Sequence, residues 1–326
     1  MGIVVFIIVL IAAFVFAFTN GFHDSANAIA TVVSTKVLSP RIAVLYGATL
    51  NFLGAFFGVQ VAKTIGIGLV TSSSITPLVI LAALLTAIIW NFVTWHYGLP
   101  SSSSHALIGG LIGASIAHAG IGVVNIQGVS NDVIIPMIGS PILGILVVYV
   151  FMMLLLHVFY KITPRQANKY FGQLQIISSG LMAFSHGAND TQKSIGIITL
   201  ALISFFSLKT FNVPTWVVVA SALSMSLGTM TGGWRIIRTM GHKMMRLKPI
   251  DGFAAETSSA VIILLASHMG IPVSTTHVIS GSIIGAGSAR RFSAVKWSVF
   301  GNMIFAWILT IPICVLLADI LYSVLA

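Results

Sequence analysis

Asn20-Gly21-Phe22-His23-Asp24-Ser25 returns 166 residues later as His186-Gly187-Ala188-Asn189-Asp190-Thr191. Pro100-Ser101-Ser102-Ser103-Ser104-His105 returns 172 residues later as Pro272-Val273-Ser274-Thr275-Thr276-His277, and Gly109, Ile112 and Gly113 match Gly281, Ile284 and Gly285 without a gap. Two motif pairs at nearly one offset mark a duplication. Each copy runs from an apolar segment through an acidic motif to a Pro-Ser/Thr-His motif and a closing apolar segment. The polar, basic connector Lys161–Lys169 marks the boundary, so the copies are residues 1–160 and 161–326.

Between the motifs the sequence is apolar. The chain of 326 residues is 57% hydrophobic and 7% charged, with a mean hydropathy of +1.04; a soluble domain carries about 25% charged residues. Runs such as Ile3–Phe18, Ile42–Val61, Leu78–Val93, Ile134–Phe159, Val213–Met230 and Trp297–Tyr322 suit helices of about 20 residues that cross a bilayer, and their number predicts roughly ten crossings. Met1–Phe18 has no basic n-region and leads straight into a polar motif, so it reads as the first span rather than a signal peptide. The net charge of +10 gathers in Arg235–Lys248 and Arg290–Lys296, as cytoplasmic loops do. No aromatic-interleaved basic patch of a nucleic-acid binder accompanies it. These features predict a multi-pass protein of the cell (inner) membrane, with the lipid bilayer as its solvent. The single cysteine, Cys314, supports neither a disulfide nor a cysteine metal site.

Because lipid offers no partner to a free backbone group, polar and flexible interruptions stand out. Asn20-Gly21, His186-Gly187, Gly98-Leu99-Pro100 and Gly270-Ile271-Pro272 each interrupt an apolar run, and all four are read as helix breaks. The short, glycine-rich stretches His105–Ala119 and His277–Ala286 then read as half-helices of re-entrant hairpins. Interrupted segments at matching places of two halves point to a transporter's binding site. The basic segment Arg235–Lys248 has only Lys63 in its first-half counterpart, and Arg290–Lys296 faces the Arg/Lys-free stretch Ala119–Pro136. Corresponding loops are therefore expected on opposite sides of the membrane. The expected fold is an all-α polytopic helical bundle of two inverted repeats, with broken helices and re-entrant hairpins.

Two of the six acids, Asp24 and Asp190, lie inside apolar sequence at equivalent places. Each costs roughly 2.5–3.5 kcal/mol to insert near a helix centre, and such residues mark ion or substrate pathways. Ser25 and Asn27 beside Asp24, and Asn189 and Thr191 beside Asp190, are hard oxygen donors. They suit Na⁺, or a proton on the carboxylate, and not a soft transition metal. Glu256, early in an apolar run, fits a cation site or a helix cap and is counted with the cation set. His23, His105, His186 and His277 follow the repeat motifs and lack HExxH spacing, so no transition-metal site is expected.

Ser102, Ser103 and Ser104, and likewise Ser274, Thr275 and Thr276, follow a proline and open a half-helix. Hydroxyls cap helix N-termini, and the free N–H groups and dipole there hold anions. Two such clusters facing each other can ring a tetrahedral oxyanion. Gln192 and Lys193 are counted with them; Lys193 stands where the first half has Asn27, and either anchors the anion or neutralises Asp190. Hydrogen phosphate can donate its proton to a carboxylate, whereas sulfate would face a repelling acid. Two carboxylates and a dianion need co-bound cations in a low dielectric, which ties passage of the anion to an ion gradient. The GxxxxGK[ST] loop of nucleotide sites is absent, and no base–nucleophile pair marks an enzyme.

At these residues the sequence resembles the inorganic phosphate transporter (PiT) family, whose halves each carry a GANDVANA-like motif. The motifs stand here as Gly21-Phe22-His23-Asp24-Ser25-Ala26-Asn27-Ala28 and Gly187-Ala188-Asn189-Asp190-Thr191-Gln192-Lys193-Ser194. The resemblance spans essentially the whole chain. It implies cation-coupled uptake of inorganic phosphate, by Na⁺ symport or, alternatively, as an H⁺-coupled (metal-)phosphate or sulfate permease, and it implies a homodimer. It implies no cofactor beyond the co-transported ion. His23 replaces the first motif's Asn, and Gln192-Lys193 replace Ala-Asn in the second, so the halves need not bind identical ions.

Overall fold

The structure, a computed structural model, describes residues 2–71, 74–208 and 210–326. Helices carry the first half in the order α1 (Gly2–Ser34), α2 (Pro40–Gly54), α3 (Gln60–Ile67), α4 (Pro77–Tyr97), α5 (Ser103–Ala119), α6 (Ile126–Val129) and α7 (Ile135–Val158). The second half follows as α8 (Pro164–Phe206), α9 (Thr215–Thr231), α10 (Trp234–Arg238), α11 (Pro249–His268), α12 (Thr275–Arg290) and α13 (Trp297–Leu325). The fold is all-α and polytopic. Its polarity suits lipid: Ile142, Leu146 and Val150 of α7 and Phe305, Ile308 and Leu316 of α13 are exposed, while the polar motif residues are buried.

By length and apolarity, five helices among the described residues can cross a membrane: α1, α4, the continuous Ile126–Val158 segment, α11 and α13. The pair of α9 and the segment Trp234–Lys243, which begins with α10, is bent by 57° at the intervening Gly232-Gly233 and makes a sixth if counted as one span. This is fewer than the ten or so read from run lengths. The run Ile42–Val61 divides between α2 and α3, and α5 and α12 have 17 and 16 residues, about 25 Å at 1.5 Å per residue against a hydrocarbon core of about 30 Å.

Two of the four expected breaks are real. Gly98 ends α4 with φ 65° and Gly270 follows α11 with φ 74°, and a short non-helical stretch containing a proline then leads to the extended N-cap, Ser102 or Ser274, of α5 or α12. These are the helix–turn–helix hairpins anticipated from the sequence, α4 with α5 and α11 with α12. The other two are not breaks. α1 runs unbroken through Asn20-Gly21 and α8 through His186-Gly187. The glycines there serve packing: a Cβ on Gly21 would overlap the carbonyl of Met225 in α9, and one on Gly187 the carbonyl of Asn51 in α2. Small residues let membrane helices meet backbone to backbone, and an intact helix keeps its own hydrogen bonds satisfied.

Contacts recur at the repeat offsets. Gly228 of α9 meets the Phe18 carbonyl as Gly54 of α2 meets that of Phe184. Gly109 and Gly113 of α5 pack on Ile311 and Val315 of α13, as Gly281 and Gly285 of α12 pack on Pro141 and Ile145 of α7. The hairpin turns are held alike: Thr239 Oγ1 donates to Gly98 O at 2.8 Å and Thr64 Oγ1 to Gly270 O at 2.7 Å. In every case the partner lies on the other side of residue 160, so the two copies interlock.

A close-packed helical glycine and one facing open space respond differently to alanine. Gly187→Ala is predicted to destabilise by about 1–3 kcal/mol through overpacking, lowering the melting temperature of the detergent-purified protein. Gly139→Ala, inside α7 where nothing lies within 4 Å, should leave it unchanged or raise it slightly, since alanine is the better helix former. An unchanged or raised melting temperature in Gly187→Ala would show that the helices do not meet backbone to backbone there.

Candidate functional site

The site forms where the middles of α1 and α8 meet the N-termini of α5 and α12. Ser102 and Ser274 cap those N-termini, each hydroxyl accepting from a backbone N–H three residues on, His105 or His277, at 3.3 Å. The capping geometry turns the next hydroxyls inward. Ser103 Oγ donates to Asp24 Oδ2 at 3.2 Å, and Thr275 Oγ1 to Asp190 Oδ2 at 2.9 Å. Asn27 Nδ2 donates to Thr275 and Thr276 at 3.2 and 2.9 Å. Lys193 Nζ donates to Ser104, Asp190 and, at 3.0 Å, the carbonyl of Val273.

These contacts draw both acids into one place. Ligand atoms of Asp24, His186 and Asp190 all lie within 4.8 Å of one another, and the two aspartates are 3% and 0% exposed, so water does little to offset their repulsion. Lys193 supplies one compensating charge. The histidines of the motifs complete the surroundings of the acids. His23 Nδ1 lies 2.6 Å from Asp24 Oδ1, and its Nε2 faces Thr94 at 3.0 Å and Ser101 at 3.4 Å. His186 holds Asn51 Oδ1 at 2.9 Å through Nδ1, while Nε2 sits 3.1 Å from Asp190 Oδ2, off the line of a hydrogen bond.

Asp24, Asn27, Asp190, Lys193, Ser103, Ser104, Thr275 and Thr276 are thus assembled together. Several other expected residues are not. Ser25 is spent on Phe22 O and on Gly233 N, at 3.0 and 2.6 Å. Asn189 bonds Ser267 at 2.8 Å, and Thr191 faces the Met225 sulfur at 2.9 Å. Gln192 has both ends of its amide taken by backbone, Val61 N at 2.8 Å and Ala188 O at 2.6 Å. The reason is the intact helix: successive residues turn by about 100°, so neighbours of Asp24 and Asp190 face other elements. Unwound segments, as expected from the sequence, would have let them converge.

Glu256 forms a separate buried cluster, accepting from Thr31, Ser178 and, at 3.0 Å, Gln175 Nε2. Its three donors come from α1 and α8, so it is no helix cap. Thr31, Gln175, Ser178, Asn51 and Thr94 carry no local signal in the sequence, because they lie 71 to 225 residues from their partners. Only the i,i+4 spacing of His186 and Asp190 offered one.

A model described as the phosphate transporter family matches residues 20–318. A protein of Rhizobium meliloti called a probable low-affinity inorganic phosphate transporter is 46% identical over 95% of this chain and 93% of its own. A protein of the same description from Bacillus subtilis is 45% identical over 98% and 96%. A solved structure named "The sodium-dependent phosphate transporter" matches with a TM-score of 0.89 at 28% identity, covering 99% of both chains.

The division of the motif residues is testable by uptake kinetics. Thr275→Val should raise the KM for the transported anion several-fold. Gln192→Met, at equal amounts of folded protein, should leave KM unchanged and lower the melting temperature. An increased KM in Gln192→Met would return that residue to the site.

Proposed function

This chain belongs to the phosphate transporter family and is an inorganic phosphate transporter rather than an enzyme; we propose that it imports phosphate by symport with Na⁺. The observation that carries this reading is the convergence of Asp24 and Asp190 with two hydroxyl-lined helix N-termini. Phosphate takes the hydroxyls of Ser103, Ser104, Thr275 and Thr276 and the N–H groups at the starts of α5 and α12, where the helix dipoles favour a dianion. Na⁺ takes carboxylate and amide oxygens beside Asp24 and Asn27.

Coupling follows from charge. An empty site tolerates two buried acids only with Lys193 and hydroxyl donors around them, and a dianion adds charge that nothing in the protein neutralises. Cation and phosphate therefore bind together or not at all. Each net positive charge moved inward gains roughly 2.3 kcal/mol per 100 mV of membrane potential. The sodium dependence named for the structural relative supports Na⁺ as the partner ion. The contacts that recur at the repeat offsets support residues 1–160 and 161–326 as inverted repeats that move against each other about the turns at Gly98 and Gly270. The protein sits in the cell's inner membrane as a homodimer, with Arg235–Lys248 and Arg290–Lys296 facing the cytoplasm.

A second reading, proton-coupled transport of a metal–phosphate complex, draws on two observations. His23 sits against Asp24 as a proton carrier would, and Asp24, His186 and Asp190 form a donor set fit for a divalent ion.

Uptake of labelled phosphate into proteoliposomes, with Na⁺ and pH gradients imposed separately, decides between them. Accumulation under an inward Na⁺ gradient alone is expected. Accumulation under a pH gradient alone would establish the second reading. Asp24→Asn and Asp190→Asn should each abolish accumulation, and a wild-type rate in either would remove that residue from the site.

A further inference from the structure

The duplication is unequal at one position, and the inequality carries a charge. Lys193 stands where the first half has Asn27. The lysine is fully buried, and its ammonium bonds the Asp190 carboxylate, the Ser104 hydroxyl and the Val273 carbonyl. An ammonium has three N–H donors, so this one has none left for phosphate. Its three acceptors are the hard oxygen types that hold alkali and alkaline-earth ions. Lys193 is bonded as a captured cation would be.

Exchanging each residue of this cage for its repeat counterpart, Asp190 for Asp24, Ser104 for Thr276 and Val273 for Ser101, yields a second cage around Asn27. Its side-chain contacts follow the same pattern: Asn27 bonds Thr276 at 2.9 Å as Lys193 bonds Ser104, and Ser103 bonds Asp24 at 3.2 Å as Thr275 bonds Asp190 at 2.9 Å. The occupant here is a neutral amide, and among the described residues Asp24 makes no ion pair with a lysine or arginine. One acid therefore has a fixed counter-charge and the other does not.

Resting on the cation-coupled reading above, we propose that Lys193 is a built-in substitute for one coupling cation. The two halves form two matching cation cages. Lys193 permanently fills the second; the first, made by Asp24, Thr276 and Ser101 beside Asn27, takes the single mobile cation of the central site. The consequence is stoichiometric: the lysine travels with the protein and not with the phosphate, so one charge fewer crosses per phosphate than if asparagine stood in both halves. The lysine also lets Asp190 stay ionised with no ion bound, which a site built on two exchangeable cations cannot do.

The test counts cations per phosphate in the full-length protein in proteoliposomes. Phosphate flux is measured against the concentration of whichever ion, Na⁺ or H⁺, drives accumulation, and the reversal potential of coupled flux gives the charge moved. The wild type should show a Hill coefficient of about 1, and Lys193→Asn, which restores the repeat residue, a coefficient of about 2, with the reversal potential displaced by one further charge per phosphate. A wild type of second order, or an active Lys193→Asn with unchanged stoichiometry, overturns the proposal. Should Lys193→Asn fold poorly, phosphate-dependent binding of radioactive sodium, or proton uptake, to the wild type still decides. One ion per chain that is lost in Asp24→Asn supports the proposal; two ions, or one that survives Asp24→Asn, overturn it. If neither gradient drives any phosphate accumulation, the transport reading falls, and this inference with it.

Discussion

Two carboxylates held within 4.8 Å of each other in the buried interior set the terms for the rest of the structure. Neither Asp24 nor Asp190 is open to water, and in a low-dielectric interior their repulsion and lost hydration must be met by protein groups. The chain meets them with hydroxyls from two helix N-termini, with an ammonium, and with the ring nitrogens of His23 and His186. The two capped N-termini add partial positive charge directed at the same point. Hydroxyls and helix N-termini that steady two acids this way have the chemistry that holds an oxyanion.

The assembly is possible because the helices interlock across the duplication. α1 leans on α9 and α8 on α2, through glycines that allow backbone contact; α5 leans on α13 and α12 on α7. Each acid-bearing helix is gripped by an element of the other copy, and each hairpin turn accepts a threonine hydroxyl from across the boundary. Such packing leaves little room for independent movement of single helices. Each copy thereby supports the acid-bearing helix of the other.

Symmetry of frame coexists with asymmetry of chemistry. His23 pairs with Asp24, whereas its counterpart Asn189 turns to Ser267; Asn20, whose amide finds no hydrogen-bond partner among the described residues, stands where the second half has His186 bonded to Asn51 and near Asp190. Glu256, wrapped by Thr31, Gln175 and Ser178, has Leu84 as its counterpart. These substitutions leave the backbone frame intact because they exchange side chains within a preserved pattern of glycines and caps. They change which half carries fixed charge and which half must borrow it.

Sequence alone determined the membrane class, the internal repeat of motifs, the two hairpin turns, and the singling out of Asp24, Asp190 and the hydroxyl clusters that the structure brings together. Those features are local: an apolar run, a glycine before a proline, an acid where lipid forbids one. Only the tertiary structure decided that Asn20-Gly21 and His186-Gly187 are contact points rather than breaks, since the deciding atoms belong to Met225 and Asn51 on distant helices. The intact helical turn then divided the motif residues, keeping Asn27 and Lys193 at the site and sending Ser25, Thr191 and Gln192 to other neighbours. A motif names its chemically capable residues, but the helical rotation and the packing of remote helices choose which of them face one another.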